Sequence, residues 1–549
     1  MSAQTKGHPK GLYTLFATEM WERFSYYGMR ALLVLYLTAE LVSDGFGLAR
    51  AEALAIYAVF TGLVYLTPIL GGWASDKFLG KRKTVYIGGL VMAIGQFLLA
   101  TSAFTAHSID PAMRQFIFNF GLGTLIIGNG FFKPNISTIV GDFYDDNDPR
   151  KDSAFNIFYM GINLGAILGP FIAGGLGENI HWGWGFFSAG IGMVIGVLWM
   201  YFREETLDGH GLPPQTANDK IRLDGKDWRD IVLISVGLVV GTLAIILFWR
   251  AIPESVQSGI VNVGFVAIVL GLGYVVIRGI DGERWLPKFA VVVGIVVIVE
   301  LLSHFWDSIP PQATTYVGYA AVAGLIVLLV SLMRSSNDDW SRMGVIITLA
   351  IFNVAFWAGF EQAGGTMNLF AAENTNRVIG GWEVPASWFQ NINPFAILVF
   401  APLFSVMWLK LDARGLNPRT PVKFALGLLL GALAFWVMSQ AANKAADGTL
   451  VSPMWLVVVY LILTLGELCL SPIGLSMITK LAPPKLVSVV MGLWMASFAA
   501  GNYLAGILEN ILHKYHFALY PFITMVMLIS AGLLLLMSPI LNKAMKGIH

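Results

Sequence analysis

Glu19-Met20-Trp21-Glu22-Arg23-Phe24-Ser25-Tyr26-Tyr27-Gly28-Met29-Arg30 lies inside an apolar run that extends from residue 12 to 41. A run of that length can cross a bilayer, which takes about 20 mostly apolar residues. Yet it carries two carboxylates and two guanidiniums, and each charge at membrane depth costs about 3 kcal/mol unless paired or wetted. Steps of three, four and four residues put Glu19, Glu22, Tyr26 and Arg30 on one helical stripe, with Arg23 beside it. The stripe is about 16 Å long at 1.5 Å rise per residue. Such a face cannot look at lipid, so it is expected to line an aqueous cavity inside a bundle. A carboxylate beside a guanidinium is held ionised; separating them, or letting a ligand compete for the arginine, favours proton uptake. Glu19 and Glu22, sharing Arg23, therefore read as a proton-coupling switch.

The rest of the chain is written in the same medium. Of 549 residues, 56% are hydrophobic and 13% are charged, against about 25% charged in a soluble domain. That is too little polar material to coat soluble domains. The formal net charge of +1 argues against a nucleic-acid partner, and the single cysteine, Cys469, excludes an intramolecular disulfide and offers no metal cluster. No metal or other cofactor is expected, and the scattered histidines give no base for an enzyme's nucleophile. No cleavable leader is read at the start, because the first apolar run holds Glu19, Glu22 and Arg23.

Sixteen apolar segments of membrane-spanning length can be marked along the chain. Transmembrane strands would be about ten residues with alternating polarity, so the chain is expected to be an all-α polytopic membrane protein. Placing the N-terminus inside puts 26 Lys and Arg on the inner side and six on the outer, with Arg23, Arg30 and Lys133 within spans. That bias supports both the count and cytoplasmic termini. The polar stretch 203–229 separates six spans from ten, and four of the ten, within 230–333, look inserted. The expected organisation is a six-helix bundle over 1–203, a linker and inserted helices over 204–340, and a second six-helix bundle over 341–549. Glu300 and His304 stand one turn apart in the insert, which reads as a mutually satisfied pair near a helix end, with a proton site as the alternative. A weak repeat, Asp76 through Lys83 against Asp412 through Lys423, fits two related halves with a site between them.

Further charges mark that site. Gly128-Asn129-Gly130-Phe131-Phe132-Lys133-Pro134-Asn135 puts a lysine beside a proline break, where it needs a carboxylate or an anionic ligand. Gly466-Glu467 with Ser471-Pro472, and Phe360-Glu361-Gln362, place carboxylates in second-half spans. Arg30 and Lys133 against Glu361 and Glu467 would suit a zwitterion, a peptide or an amino acid. Tyr26, Tyr27, Tyr65, Tyr159, Trp357 and Trp494 fall in the same helices and could wall a pocket tolerant of varied side chains.

These segments resemble the signatures of the proton-dependent oligopeptide transporters of the major facilitator superfamily. The resemblance rests on Glu-x-x-Glu-Arg-Phe-x-Tyr-Tyr-Gly at 19–28, Gly-Gly-x-x-x-Asp at 71–76 and Gly-Phe-Phe-Lys-Pro-Asn at 130–135. It extends to Phe158-Tyr159-Met160-Gly161-Ile162-Asn163-Leu164-Gly165, Phe360-Glu361-Gln362 and Gly466-Glu467 through Gly474. It implies a major facilitator fold with extra inserted helices, and symport of di- and tripeptides with protons by alternating access. Glu19, Glu22, Arg23 and Lys133 would couple the proton. Arg30 and Lys133 would meet the peptide carboxylate and Glu467 the amino terminus. Tyr26, Tyr65, Tyr159, Asn163, Trp357, Glu361, Ser471 and Trp494 would complete the substrate site. A monomer in a bacterial inner membrane, in contact with lipid, is the expectation. The alternative is a same-fold carrier of another solute, such as nitrate or an amino acid. Four inserted segments exceed the two common in bacterial members, and the second span lacks the histidine of animal relatives.

Overall fold

The computed structural model describes residues 7–145, 148, 150–213, 221–305 and 311–547. Fourteen helices among them are long and apolar enough to cross a membrane. Lys10–Thr38, which carries five charged residues, and Leu286–Phe305 are two further long helices outside that count. In chain order the first bundle comprises α1 (Lys10–Thr38), α2 (Arg50–Leu79), α3 (Lys81–Phe104), α4 (Pro111–Asp142), α5 (Arg150–Asn179) and α6 (Trp182–Phe202). The insert comprises α7 (Gly225–Ala251), α8 (Glu254–Asp281), α9 (Leu286–Phe305) and α10 (Pro311–Met333). The second bundle comprises α11 (Asp338–Glu373), α12 (Ala386–Ala413), α13 (Thr420–Ala445), α14 (Met454–Leu481), α15 (Val487–Lys514) and α16 (Leu519–Ala544). Two six-helix bundles with four inserted helices give the major facilitator fold.

Small residues decide how closely these helices pack. Gly161, Gly165 and Gly169 recur every fourth residue on α5 and face α1. A Cβ on Gly165 would collide with the Met20 carbonyl and with Arg23, so α5 closes against the charged face of α1 with backbone in contact. Gly88 and Gly128 do the same for α3 and α4, and Gly130 admits Thr67 of α2.

The insert sits outside this framework. In the apolar windows of α7 and α8 only 17% and 12% of residues are buried, against 72% in α11, so the insert turns most of its surface to lipid. α7 leans on α3 and α4, while α10 leans on α11 and α16. Asp281, at the end of α8, takes the indole N–H of Trp340 at 2.7 Å and Lys288 at 2.8 Å, which ties the insert to the second bundle. Of the Glu300 and His304 pair, the His304 side chain lies outside the described residues.

Between bundles, polar ties gather at the end remote from both termini. Arg50 reaches Glu373 and Glu509, each at 3.0 Å. Glu178 accepts from the amides of Ala386 and Ser387 at 2.7 and 2.9 Å, and Trp388 donates to the Phe171 carbonyl at 3.1 Å. Asn368 donates to the Ala31 carbonyl at 2.8 Å. The molecule is closed at that end.

Candidate functional site

Below the closed end lies a cavity of about 210 Å³ between the bundles. α1, α2 and α5 supply Tyr27, Arg30, Tyr65, Tyr159 and Asn163; α11, α12 and α14 supply Trp357, Glu361, Asn393, Tyr460, Glu467 and Ser471. Its geometry starts with a break in α11. The helix ends at Phe360, tightens into a 3₁₀ turn over Glu361–Gly364, and resumes at Thr366. Gly364 lets the turn close against the Tyr57 hydroxyl and Arg30, both of which a Cβ would push aside. Tyr460 donates to the Ala363 carbonyl at 3.2 Å and steadies the turn. The break turns Glu361 across the interface to Arg30, with Nη2 to Oε2 at 2.9 Å and both side chains nearly fully buried. Arg30 Nε is buried with no hydrogen-bond acceptor among the described residues.

The charged face of α1 divides in two. Glu19, Glu22 and Arg23 do not line the cavity, contrary to the expectation drawn from their spacing. They are enclosed between α1, α4 and α5, with Glu19 1% and Glu22 0% exposed. Arg23 Nε lies 2.7 Å from Glu19 Oε1 and 3.0 Å from Glu22 Oε2. Asn129 of α4 donates to Glu22 Oε1 at 2.9 Å. The cause is the glycine seam of α5, which brings backbone where solvent was expected. Only Tyr27 and Arg30, further along the helix, reach the cavity.

Lys133 stands between the two groups. Its ammonium lies over the Tyr65 ring, 4.0 Å from the centroid, and it makes no ion pair within 4.0 Å among the described residues. Tyr65 in turn stacks on Phe498, 6.0 Å between centroids. Lys133 itself is not on the cavity wall, nor are Tyr26 and Trp494. Tyr26 is 4% exposed and packs against Phe60 and Tyr27. Trp494 is 1% exposed, among Phe424 and Phe498, one layer behind Trp357.

On the opposite wall, Glu467 is held by Asn393, whose amide donates to Oε2 at 2.9 Å and to Thr464 at 3.0 Å. Asn163 donates to the Tyr159 carbonyl at 2.9 Å, and the Trp357 indole donates to Asn353 at 3.1 Å. Tyr27, read from the sequence as a possible wall residue, lines the cavity, whereas Asn393 and Tyr460 are wall residues that the sequence reading did not name. Asn393 had a signal, a polar residue beside Pro394 at the start of an apolar span; Tyr460 had none. No group of three His, Cys, Asp or Glu that could hold a metal occurs among the described residues.

Comparison with known proteins agrees with this architecture. The model of the POT family matches residues 82–210 and 314–526. Peptide transporter YePEPT of Yersinia enterocolitica is 36% identical over 509 residues, covering 91% of this chain and 88% of that one. The di-/tripeptide transporter of Lactococcus lactis subsp. cremoris is 32% identical over 497 residues, covering 89% and 86%. A crystal structure of a mutant peptide transporter in complex with alafosfalin superposes with a TM-score of 0.72 at 32% identity, covering 99% and 97%. A charged first helix packed inside the first of two six-helix bundles, an interfacial cavity and similarity along nearly the whole length all lead to one assignment: this integral membrane protein belongs to the POT family of transporters.

Proposed function

We propose that the protein carries di- and tripeptides into the cell together with protons, by alternating access of its two bundles. The observation that carries this reading is the placement of Arg30 and Glu467 on one cavity, Arg30 from the first bundle and Glu467 from the second. A peptide is a zwitterion, and it would bridge them with its carboxylate on Arg30 and its ammonium on Glu467. Relatives named as peptide and di-/tripeptide transporters support the substrate class.

Arg30 is already neutralised by Glu361 in this conformation. A substrate carboxylate must therefore compete with Glu361, and the released carboxylate, desolvated, favours taking a proton. Glu19, Glu22 and Arg23 form the second proton-coupling element, with Lys133 free to exchange partners between Glu22 and the cavity. Tyr65, Tyr159, Asn163, Trp357 and Ser471 shape the walls; Tyr26 and Trp494 act from behind them. With the termini cytoplasmic, the closed end faces outward. The protein works as a monomer in a bacterial inner membrane, its two bundles corresponding to 1–203 and 341–549 with the linker and insert between.

The test is uptake of a labelled dipeptide into liposomes holding the purified protein, with and without an inward proton gradient, alongside Glu22→Gln. Gradient-driven accumulation by the wild type, with the variant keeping only peptide exchange, is the expected result. Failure to accumulate any di- or tripeptide would overturn the reading and leave a same-fold carrier of another solute.

A further inference from the structure

The insert creates a second cavity, far from the first and on the lipid side of the protein. It has a volume of about 350 Å³ and lies between the first turns of α4 and the last turns of α7, at the end remote from the termini. Its floor is apolar, made by Phe116, Ile245 and Ile246. Its rim is polar: Gln115 and Asn119, one turn apart on α4, face Arg250 on α7 across it. α7 is held there by close packing lower down, where Gly123 leaves room for Thr242 and Ile246.

Among the described residues these groups have no polar partner. Gln115 and Asn119 are exposed on a membrane helix, and among the described residues neither side chain makes a hydrogen bond. Arg250 makes no ion pair among them either; its guanidinium lies 5.5 Å from the centre of the Phe116 ring. At the membrane interface, exposed amides and a cation without polar protein partners are open to a lipid headgroup. Arg250 is also one of only six basic residues on a side that is otherwise depleted in them.

We propose that this cavity binds one phospholipid with an anionic, phosphatidylglycerol-type headgroup from the leaflet remote from the termini. The phosphodiester meets the Arg250 guanidinium, as a planar donor fork suits phosphate oxygens. The glycerol hydroxyls and ester carbonyls satisfy Gln115 and Asn119. An acyl chain lies on Ile245, Ile246 and Phe116. No carboxylate lines the cavity among the described residues, so the ammonium of a zwitterionic headgroup would find no partner, which selects an anionic lipid. Bound there, the lipid would join the insert to the first bundle.

Native mass spectrometry of the full chain in a delipidating detergent tests this, with titration by dioleoylphosphatidylglycerol and, separately, by dioleoylphosphatidylcholine. The wild type is expected to saturate one phosphatidylglycerol before nonspecific binding begins, and to take it several-fold more tightly than phosphatidylcholine. Arg250→Gln should weaken phosphatidylglycerol by about fivefold, the effect of one cation at an anionic surface, and weaken phosphatidylcholine, whose phosphate charge is offset by its own ammonium, by less. Asn119→Leu is an independent variant on the other helix and should also lower occupancy. Equal affinity for the two lipids, or an undiminished preference in both variants, would overturn the proposal. So would displacement of the lipid by millimolar inorganic phosphate, since the cavity would then be reading a bare anion.

Discussion

Arg30 Nη2 lies 2.9 Å from Glu361 Oε2, across the boundary between the bundles. The contact joins the charge that should receive a substrate carboxylate to the carboxylate that the substrate would displace. Glu361→Gln keeps an acceptor for Arg30 but removes the charge and the titration. A hydrogen bond to a charged group is worth about 1.5–3 kcal/mol, so the variant should hold Arg30 less firmly while losing the proton site. Accumulation driven by a proton gradient is expected to fall at least about tenfold, a change of roughly 1.4 kcal/mol, with peptide counterflow retained. Gradient-driven accumulation at the wild-type level would remove Glu361 from the coupling.

Arg50 is the centre of the closed end, bound to Glu373 and Glu509. Each pair is partly exposed, and such pairs contribute about 0.2–1 kcal/mol. Arg50→Gln should therefore weaken closure by about 1 kcal/mol, which shifts a two-state population about fivefold. Spin labels at Ser43→Cys and Asp447→Cys, in a Cys469→Ser background, report the separation of the bundles at that end. A longer-distance population that grows in the variant is the expected outcome. An unchanged distribution would mean that Glu178 and the amides of Ala386 and Ser387 hold the end closed without Arg50.

At the end bearing the termini, Arg82 straps the linker onto α3. Its side chain is 0% exposed, donates to the His210 and Ile221 carbonyls, and lies 3.5 Å from Glu204. Arg82→Ala takes a cation away from Glu204, which is 1% exposed, at a cost of about 3 kcal/mol. Faster hydrogen exchange and protease cleavage within 203–223 should follow. Burial also raises the Glu204 carboxyl above its ordinary value, against the pull of the Leu223 amide, Arg82 and Arg222. A raised value in the docked state means that protonation favours docking. That contribution is complete below the undocked value and fades as pH rises through the docked one. Protection of the linker, corrected for intrinsic exchange, should decline with rising pH, and Glu204→Gln should flatten the decline.

Periodicity alone exposed much of this design, and its limits are physical. Sixteen segments, four of them inserted, could be marked because apolar length is a property of each segment alone. The stripe Glu19, Glu22, Tyr26 and Arg30 gave the right helix face but not what lies across it. Gly161, Gly165 and Gly169 stand in the sequence at the spacing of a tight helix seam, and reading them would have predicted that Glu19 and Glu22 are sealed by protein. Arg30 and Glu361 were both legible as misplaced charges. Their pairing was not, because it depends on a helix break that brings together residues hundreds of positions apart. Trp494 and Tyr26 sit in the right helices but point one layer behind the cavity, a rotation that composition does not encode.

The assignment of the two ends of the substrate can be separated by chemistry. Glu467 is fixed by Asn393 through Oε2 at 2.9 Å, which leaves the other oxygen of the carboxylate for a ligand. If it receives the amino terminus, Glu467→Gln removes a charge-assisted hydrogen bond of about 1.5–3 kcal/mol, or about tenfold to a hundredfold in affinity for a dipeptide. An N-acetylated dipeptide has no ammonium to lose, so it should bind wild type and variant alike. Asn393→Leu loosens Glu467 without removing its charge, and should give a smaller loss for the free dipeptide only. Binding measured in detergent by thermal shift or calorimetry makes the comparison independent of coupling. Equal losses for the free and acetylated peptides in Glu467→Gln would place the amino terminus elsewhere in the cavity, and would leave Arg30 as the only end of the substrate that charge can identify.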